Sequence, residues 1–173
     1  MPGQGAEVFM QGAIVQVSIS LGGLPKRAIS EGLITPLGIE GDLHAHPAIH
    51  GGPRKAILMV ASEVIEDLIA RGYPLFHGAL GENLTTRGIT IRDIRIGDRL
   101  RAGGATLEIT GPRNPCSALD IYGESLKEEI SDGRVRALDH TSPRWGMSGF
   151  YASVVAPGAV RPNDIISVVA KLA

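Results

Sequence analysis

Alternation of hydrophobic and polar residues predicts β-strands along much of the chain. In the clearest case polar residues separate four hydrophobic ones, Val15, Val17, Ile19 and Leu21. This period of two is typical of a strand with one buried face. Further short strands are predicted at residues 55–61, 84–86, 89–91, 99–102, 105–110, 150–155 and 165–169. Gly103-Gly104 has the composition of a two-residue hairpin turn.

Helices are expected to be few and short. Ser62 is predicted to cap a helix that ends before Gly72, with a buried face formed by Val64, Ile65, Leu68 and Ile69. Ser125 and Glu128 have capping-box spacing for a second, short helix. Residues 116–121 are predicted to form a further helical turn.

The glycine-rich region at residues 24–53 lacks sustained periodicity, so a loop with one short strand is predicted there. Strands that extend over the whole chain with few helices favour a barrel or curled sheet over a parallel sheet with crossover helices. We see no linker and no internal repeat, which indicates a single domain over residues 1–173. The prediction is therefore a mainly β, barrel-like fold with a few short helices.

The composition excludes several classes of partner. The 17 Lys and Arg residues are balanced by 18 Asp and Glu residues, so the chain lacks the excess positive charge that duplex nucleic acid requires. The amino terminus has no basic start, and polar residues interrupt the first hydrophobic stretch, unlike a signal peptide or membrane span. We therefore expect a cytoplasmic protein with neither nucleic acid nor membrane as partner.

Cys116 is the candidate centre of the chemistry because it is the only cysteine and cannot form an internal disulfide. It follows Arg113-Asn114-Pro115 and precedes a predicted helical turn. A nearby guanidinium and a helix amino terminus both favour the thiolate, which attacks electrophiles and binds soft metals. The alternative is that Cys116 is a small buried hydrophobic residue, as free cysteines often are.

A glycine-rich basic segment, His50-Gly51-Gly52-Pro53-Arg54-Lys55, leads into a predicted strand. Its glycines allow backbone N–H groups to approach a ligand, and its two cations suit phosphate or another anion. A tight turn with two solvated charges is the alternative, because the segment matches no nucleotide-binding fingerprint. His44, His46 and His50 with Asp42 could also form a metal cluster, although their spacing matches no closed zinc motif.

A second polar turn, Gly81-Glu82-Asn83-Leu84-Thr85-Thr86, supplies a carboxylate, an amide and two hydroxyls. These groups could hydrogen-bond the edge of a heterocycle. They could equally satisfy local backbone groups at a turn that enters a strand.

In their order and spacing these segments resemble the MOSC family, named for the carboxy-terminal domain of molybdenum cofactor sulfurases. The resemblance rests on His50-Gly51-Gly52-Pro53-Arg54-Lys55-Ala56, Gly81-Glu82-Asn83-Leu84-Thr85-Thr86, Gly97-Asp98, Arg113-Asn114-Pro115-Cys116 and the strand from Gly149 to Val155 with Val160 after it. The ordered set is specific and spans most of the chain. Where the family usually has a Gly-Asp turn the chain has Asn163-Asp164, and Asn also tolerates positive φ.

The resemblance implies a barrel of the MOSC or pyruvate-kinase-barrel type that works with a molybdopterin-type molybdenum cofactor or with sulfur bound to cysteine. Cys116 falls on the family's characteristic cysteine, where it would ligate molybdenum or carry a persulfide. The basic segment would hold an anion such as the cofactor phosphate. The candidate cofactor-binding residues are His50, Gly51, Gly52, Arg54, Lys55, Glu82, Asn83 and Arg113.

Two classes of function follow from the resemblance. Some family members are small stand-alone reductases that remove oxygen from N-hydroxylated bases, so the first hypothesis is an oxidoreductase with a small-molecule substrate and an electron-transfer protein as partner. The second is a sulfur-carrier or cofactor-binding module that delivers persulfide sulfur to a metal centre on a partner. The sequence shows no pyridoxal phosphate site, so the sulfur would come from a donor protein.

Overall fold

The computed structural model describes residues 7–43 and 51–172. The strands in these residues are β1 Met10–Ile19, β2 Arg27–Ile29, β3 Gly32–Thr35, β4 Gly38–Ile39, β5 Ile57–Ala61, β6 Leu84–Arg87, β7 Arg99–Ala102, β8 Ala105–Pro112, β9 Phe150–Ala156, β10 Gly158–Val160 and β11 Ile165–Ala170. The α-helices are α1 Ser62–Ala70, α2 Leu126–Ile130 and α3 Gly133–Arg136, and short 3₁₀ helices occupy Pro53–Lys55, Ile91–Asp93 and Ser117–Tyr122. The predicted mainly β fold with a few short helices is confirmed.

Seven strands form a closed β-barrel. Neighbouring strands follow the order β11, β7, β8, β9, β5, β6 and β1, and antiparallel pairing of β1 with β11 closes the circle. β5 and β6 are parallel, whereas the other neighbouring pairs in the barrel are antiparallel. β2 pairs with the second half of β1, and β3, β4 and β10 form a separate small sheet. Closure pairs strand edges that would otherwise be open to other chains.

A bulge in β1 changes which of its residues face the core. The pairing of β1 with β6 shifts register between Ile14 and Gln16, and an extra residue of this kind interrupts the alternation of side chains. Ile14 and Val17 are both completely buried, whereas Leu21 is 88% exposed. The prediction that Val15 and Leu21 share a buried face with Val17 is therefore wrong. The strand itself is confirmed and begins earlier than predicted.

An aromatic pair anchors the barrel core. Trp145 is buried, and its indole Nε1 donates a hydrogen bond to the carbonyl oxygen of Ile94 at 2.8 Å. Its ring lies 5.7 Å from the ring of Phe150 in an edge-on arrangement, measured between centroids. Because the indole N–H has a partner, the side chain can be buried without loss of a hydrogen bond. The aromatic pair thereby connects β9 to the loop before β7.

The buried strand β5 separates two hydrophobic clusters. Ile57 and Met59 pack in the barrel core, while Leu58 and Val60 pack in an outer cluster with α1 and α2. This arrangement explains why all five residues of β5 are buried, since a strand covered on both faces has no polar side. The strand predicted at residues 55–61 is confirmed from Ile57 onwards, since Lys55 lies in a 3₁₀ helix, and the helix after it is also confirmed.

The glycine-rich region at residues 24–53 contains more regular structure than predicted. Three strands, β2, β3 and β4, lie within it, where a single short strand was expected. Each is only two to four residues long. A strand of this length has too few alternating positions to be recognised from the sequence.

Several other local predictions are wrong. Residues 89–91 do not form a strand, and a 3₁₀ helix begins at Ile91. Strand β10 was not predicted. Ile69 is 44% exposed and does not belong to the buried face of α1. Ser62 is the first residue of α1 rather than its cap. The predicted short helix after Ser125 is confirmed as α2, with Ser125 as its N-cap, but the Ser125 side chain makes no capping hydrogen bond.

Turn predictions succeed where backbone conformation limits the choice of residue. The hairpin of β7 and β8 has Gly103 at its turn with φ of 54°. Asn163 has φ of 72°, in the left-handed region that Asn tolerates. Asp98, from the Gly97-Asp98 segment, is completely buried and accepts hydrogen bonds from the backbone N–H groups of Arg95 and Leu172 at 2.8 and 3.2 Å. The Gly97-Asp98 segment therefore has a structural role in the barrel.

Within residues 7–43 and 51–172, no helix combines the length and the apolar character needed to cross a bilayer.

Replacing a core leucine tests the barrel interior. Leu107 on β8 is completely buried, so Leu107→Ala should lower the free energy of unfolding by about 2–5 kcal/mol. Leu21→Ala is the matched control, since that side chain is 88% exposed and its loss should change stability by less than about 0.5 kcal/mol. Urea denaturation of both variants measures the difference. Equal losses would contradict the described core.

Candidate functional site

A cleft of about 160 Å³ brings together segments that are far apart in the sequence. Its walls come from the loop after β1, the basic segment before β5, the polar turn before β6, the segment after β8, and strands β5 and β9. The lining residues are Gly23, Leu24, Lys26, Gly51, Lys55, Leu58, Leu80, Gly81, Asn83, Arg113, Cys116, Ala118 and Tyr151. The three segments singled out by their sequence thus meet at one place.

Cys116 lies in this cleft as a free, half-buried thiol. Its backbone is extended, and its carbonyl oxygen accepts a hydrogen bond from the N–H of Leu119 at 3.1 Å. It is the N-cap of the 3₁₀ helix Ser117–Tyr122, so the predicted helical turn is confirmed. The alternative of a fully buried, purely structural cysteine does not describe this side chain.

Arg113 supplies a buried positive charge to the cleft. The residue is 6% exposed, and the Nη1 atom has no hydrogen-bond partner among the described residues. Its backbone is fixed at the end of β8, because its N–H donates to the carbonyl oxygen of Gly149 at 2.9 Å. Burial lowers the pKa of Arg113, while attraction to Tyr151, Glu82 and Cys116 opposes this shift.

Lys26 is a second cation in the cleft, and the sequence analysis did not identify it. Its side chain is almost completely buried, and its Nζ atom forms an ion pair with Asp42 Oδ1 at 2.6 Å. Asp42 Oδ2 accepts a hydrogen bond from Asn83 Nδ2 at 2.9 Å. Nothing in the sequence around Lys26 distinguishes it from a solvated lysine, because the partner carboxylate is 16 residues away.

The side-chain amide of Asn83 is largely engaged by the protein. Its Oδ1 atom accepts a hydrogen bond from the N–H of Leu58 at 3.1 Å, and its Nδ2 atom contacts the carbonyl oxygen of Ser18 at 3.3 Å. The residue still lines the cleft. Asn83 therefore connects β1, β5 and the Lys26–Asp42 ion pair beneath the site.

Lys55 and Tyr151 form another part of the wall. The Lys55 Nζ atom lies 5.3 Å from the centroid of the Tyr151 ring, a cation–π geometry. Burial raises the pKa of Tyr151, and the charge of Arg113 lowers it. Sequence reasoning missed Tyr151, which looks like one more alternating residue of a strand.

The basic segment reaches the cleft only in part. Gly51 and Lys55 line it, whereas Gly52 and the side chain of Arg54 are exposed outside the lining. The Arg54 carbonyl oxygen accepts a hydrogen bond from the Thr110 hydroxyl at 2.5 Å. His50 lies outside the described residues, so its predicted role stays a prediction.

The histidine cluster proposed as an alternative metal site also falls largely outside the described residues, since His44, His46 and His50 all do. The remaining member, Asp42, is paired with Lys26. Among residues 7–43 and 51–172, His, Cys, Asp and Glu side chains form no group of three or more that could hold a metal ion.

Glu82 lies behind the cleft wall, between two residues that line it. The residue is completely buried. Its Oε1 atom accepts hydrogen bonds from the N–H of Gly78 at 2.5 Å and from the Thr85 hydroxyl at 3.2 Å. Its Oε2 atom has no hydrogen-bond partner in the described part of the chain. Burial raises the pKa of Glu82, an effect that these hydrogen bonds and the charge of Arg113 oppose.

The structure combines a closed β-barrel with a cleft that contains a free thiol. Comparison with known families identifies the class of protein to which the chain belongs. The model of the MOSC domain matches residues 46–167, so the chain belongs to the MOSC domain family. MOSC domains are generally linked to molybdenum cofactor binding.

Particular relatives agree with this assignment. The chain is 33% identical to protein YiiM of Escherichia coli strain K12 over 145 residues, which cover 81% of this chain and 60% of YiiM. It is 35% identical to the uncharacterized protein YflK of Bacillus subtilis strain 168 over 127 residues, or 72% of this chain and 52% of YflK. The matched region thus spans little more than half the length of these relatives. A protein of Gibberella moniliformis named "Reductase" is 30% identical over 138 residues, which cover 75% of this chain and 22% of that protein.

Solved structures show the same fold. The crystal structure of YiiM from Geobacillus stearothermophilus superposes with a TM-score of 0.68 at 26% identity, covering 91% of this chain and 75% of YiiM. The crystal structure of Escherichia coli YiiM gives a TM-score of 0.66 at 28% identity and covers 95% of this chain and 72% of YiiM.

The positive charge at Cys116 can be measured directly because the chain has a single cysteine. Anionic iodoacetate and neutral iodoacetamide both alkylate the thiolate. The rate constant for iodoacetate divided by that for iodoacetamide therefore reports the electrostatic potential at the sulfur. Arg113→Gln should lower this ratio about fivefold, the effect of about 1 kcal/mol of lost attraction. Arg101→Gln, at an exposed position on β7 outside the cleft lining, is the matched control. Equal ratios in the two variants would contradict the role of Arg113 as the positive charge beside Cys116.

Proposed function

We propose that the protein is a molybdenum-cofactor-dependent oxidoreductase that reduces a small N-hydroxylated or related substrate, with the Cys116 thiolate as the ligand to the metal. One observation carries the proposal. The only cysteine of the chain lies in the same cleft as a buried guanidinium with an unpartnered nitrogen. Membership of a family linked to molybdenum cofactor binding supports it.

The residues of the cleft fit such a cofactor. A thiolate is a soft ligand suited to a metal of this kind. The unpartnered Nη1 atom of Arg113 and the ammonium group of Lys55 offer positive charge to a phosphate. Leu24, Leu58 and Leu80 contribute apolar surface, against which a flat ring system can pack.

When bound, the cofactor would supply two-electron redox chemistry. Reduction of an N-hydroxylated base breaks the N–O bond, consumes two electrons and two protons, and releases the amine and water. The electrons would come from a separate electron-transfer protein. The chain itself would bind the metal through Cys116, neutralise the cofactor's negative charge through Arg113 and Lys55, and restrict water through its apolar wall. Similarity to part of a fungal protein named "Reductase" supports this class of reaction.

A sulfur carrier is the second candidate, and the accessibility of the free thiol favours it. In that function the Cys116 thiolate attacks the outer sulfur of a donor persulfide, forms a new S–S bond and releases the donor thiolate. The guanidinium of Arg113 would stabilise the resulting persulfide anion. Transfer of the outer sulfur as sulfide to a metal centre on a partner protein would then consume two electrons from an electron-transfer protein and regenerate the Cys116 thiolate.

Cofactor loading distinguishes the two candidates. The protein is purified from a host that makes molybdenum cofactor and from one that does not, and bound molybdenum, pterin and cysteine persulfide are measured by elemental analysis and mass spectrometry. Stoichiometric metal supports the oxidoreductase, whereas one added sulfur on Cys116 without metal supports the carrier. Cys116→Ser should abolish either adduct and change stability by less than about 1 kcal/mol. Full loading of this variant would contradict both candidates.

The basic segment allows a separate test of cofactor retention. Lys55→Ala should lower the pterin content of the purified protein, since Lys55 lines the cleft. Arg54→Ala should lower it less, because that side chain is exposed outside the lining. Arg101→Ala serves as the control for loss of a surface cation. Unchanged pterin content in both variants of the segment would exclude it as the anion-binding element.

A further inference from the structure

The cysteine of the cleft belongs to an irregular stretch of chain between β8 and α2. Residues 114–124, here termed the cysteine segment, contain the 3₁₀ helix Ser117–Tyr122. Within the segment, the N–H of Leu119 donates a hydrogen bond to the carbonyl oxygen of Cys116 at 3.1 Å. Cys116 and Ala118 are its contributions to the cleft lining. The position of the thiol therefore depends on what fixes the cysteine segment to the rest of the protein.

One side chain joins the cysteine segment to another wall of the cleft. The Tyr122 hydroxyl donates a hydrogen bond to the carbonyl oxygen of Ala79 at 2.7 Å. The Tyr122 ring also meets the ring of Phe76 edge-on, at 6.4 Å between centroids. Ala79 and Phe76 belong to residues 73–83, here termed the turn segment, three residues of which line the cleft. Tyr122 thus connects two of the segments that form the cleft.

The hydrogen bond of Tyr122 is the main directional constraint on the cysteine segment. Apart from bonds to the following helix α2, it is the single hydrogen bond that joins this segment to other parts of the described chain. Leu119 is completely buried in the outer hydrophobic cluster, which also holds the segment. Hydrophobic burial has no preferred direction, whereas a hydrogen bond restricts both a distance and an angle. Tyr122 therefore sets how the segment sits against the turn segment.

We infer that Tyr122 is a positioning residue that holds the Cys116 thiol in the cleft by joining the cysteine segment to the turn segment. Cys116 is the N-cap and Tyr122 the last residue of the same 3₁₀ helix, so a constraint on one end of this helix reaches the other. A phenol keeps its proton at neutral pH, and the hydroxyl therefore remains a donor. The inference rests on the function proposed above only in taking Cys116 as the reactive group.

The access of alkylating reagents of different size to Cys116 tests this role. Small iodoacetamide and bulky pyrenylmaleimide both react with the thiolate, and the size ratio is the rate constant for the maleimide divided by that for iodoacetamide. Tyr122→Phe removes the hydroxyl and keeps the ring. Without its hydrogen bond the cysteine segment should open the cleft, and the size ratio should rise about fivefold, the effect of one lost hydrogen bond. An unchanged or lowered size ratio in the folded variant overturns the inference.

Two control variants separate positioning from a general loss of stability. The Tyr73 hydroxyl oxygen lies 2.8 Å from Ser125 Oγ, so Tyr73→Phe also removes a hydrogen bond of the turn segment, but one whose partner is outside the cysteine segment. Leu107→Ala weakens the barrel core, a different hydrophobic cluster from the one that contains Leu119. Both controls should keep the size ratio of the unmodified protein. A rise in either control as large as that of Tyr122→Phe overturns the inference.

A second variant keeps the test decisive if Tyr122→Phe does not fold. Phe76→Leu then replaces it, because Phe76 is 47% exposed and its loss withdraws the ring against which Tyr122 packs. A raised size ratio supports the inference, and an unaltered one contradicts it.

The test is independent of the proposed function because the protein is taken from a host that does not make molybdenum cofactor. If the size ratio rises in Tyr122→Phe but neither metal nor sulfur loads onto Cys116, only the proposed function fails. If loading succeeds and the size ratio stays unchanged, only the role of Tyr122 fails.

Discussion

Antiparallel pairing of β1 with β11 closes the barrel, and the geometry of the cleft depends on that closure. With the circle complete, the register of each strand pair is fixed by its neighbours on both sides. β8 and β9 then bring Arg113 and Tyr151 to the same wall, and the parallel pair β5 and β6 places Asn83 beside Leu58. The bulged register between Ile109 and Gly111 shifts the end of β8 relative to β9, just before the segment that carries the cysteine.

Charged groups are buried at this site in two different ways. The pair of Lys26 and Asp42 is internally satisfied, with Asn83 as an additional donor, and so it stabilises the floor of the cleft. Arg113 Nη1 and Glu82 Oε2, in contrast, have no hydrogen-bond partner in the described part of the chain. A buried polar group without a partner calls for an explanation, and use by a ligand or a reaction is one. The Lys26–Asp42 pair is therefore structural, whereas Arg113 keeps an N–H group for the anion that the proposed function requires.

The two candidate functions share one chemical requirement. A thiolate that ligates a soft metal and a thiolate that accepts sulfur both need access to the cleft and a neighbouring positive charge. Cys116 and Arg113 provide this combination, and the apolar walls add the low-dielectric surroundings in which charge attraction is strongest. The proposed oxidoreductase additionally needs an anion-binding element for the cofactor, a role for which Lys55 is better placed than Arg54.

Local sequence determined the features that depend on neighbouring residues. Alternation predicted the β7–β8 hairpin, helical periodicity predicted α1, and ordered motifs identified the MOSC family through Cys116 and its partners. Tertiary structure decided the rest. Which residues of β1 face the core depends on a bulge in its pairing with β6. Strands β2 to β4 are too short to be recognised alone and are defined by their pairing with other strands. Lys26 and Tyr151 belong to the cleft because distant segments meet there, and sequence spacing carries no record of such contacts.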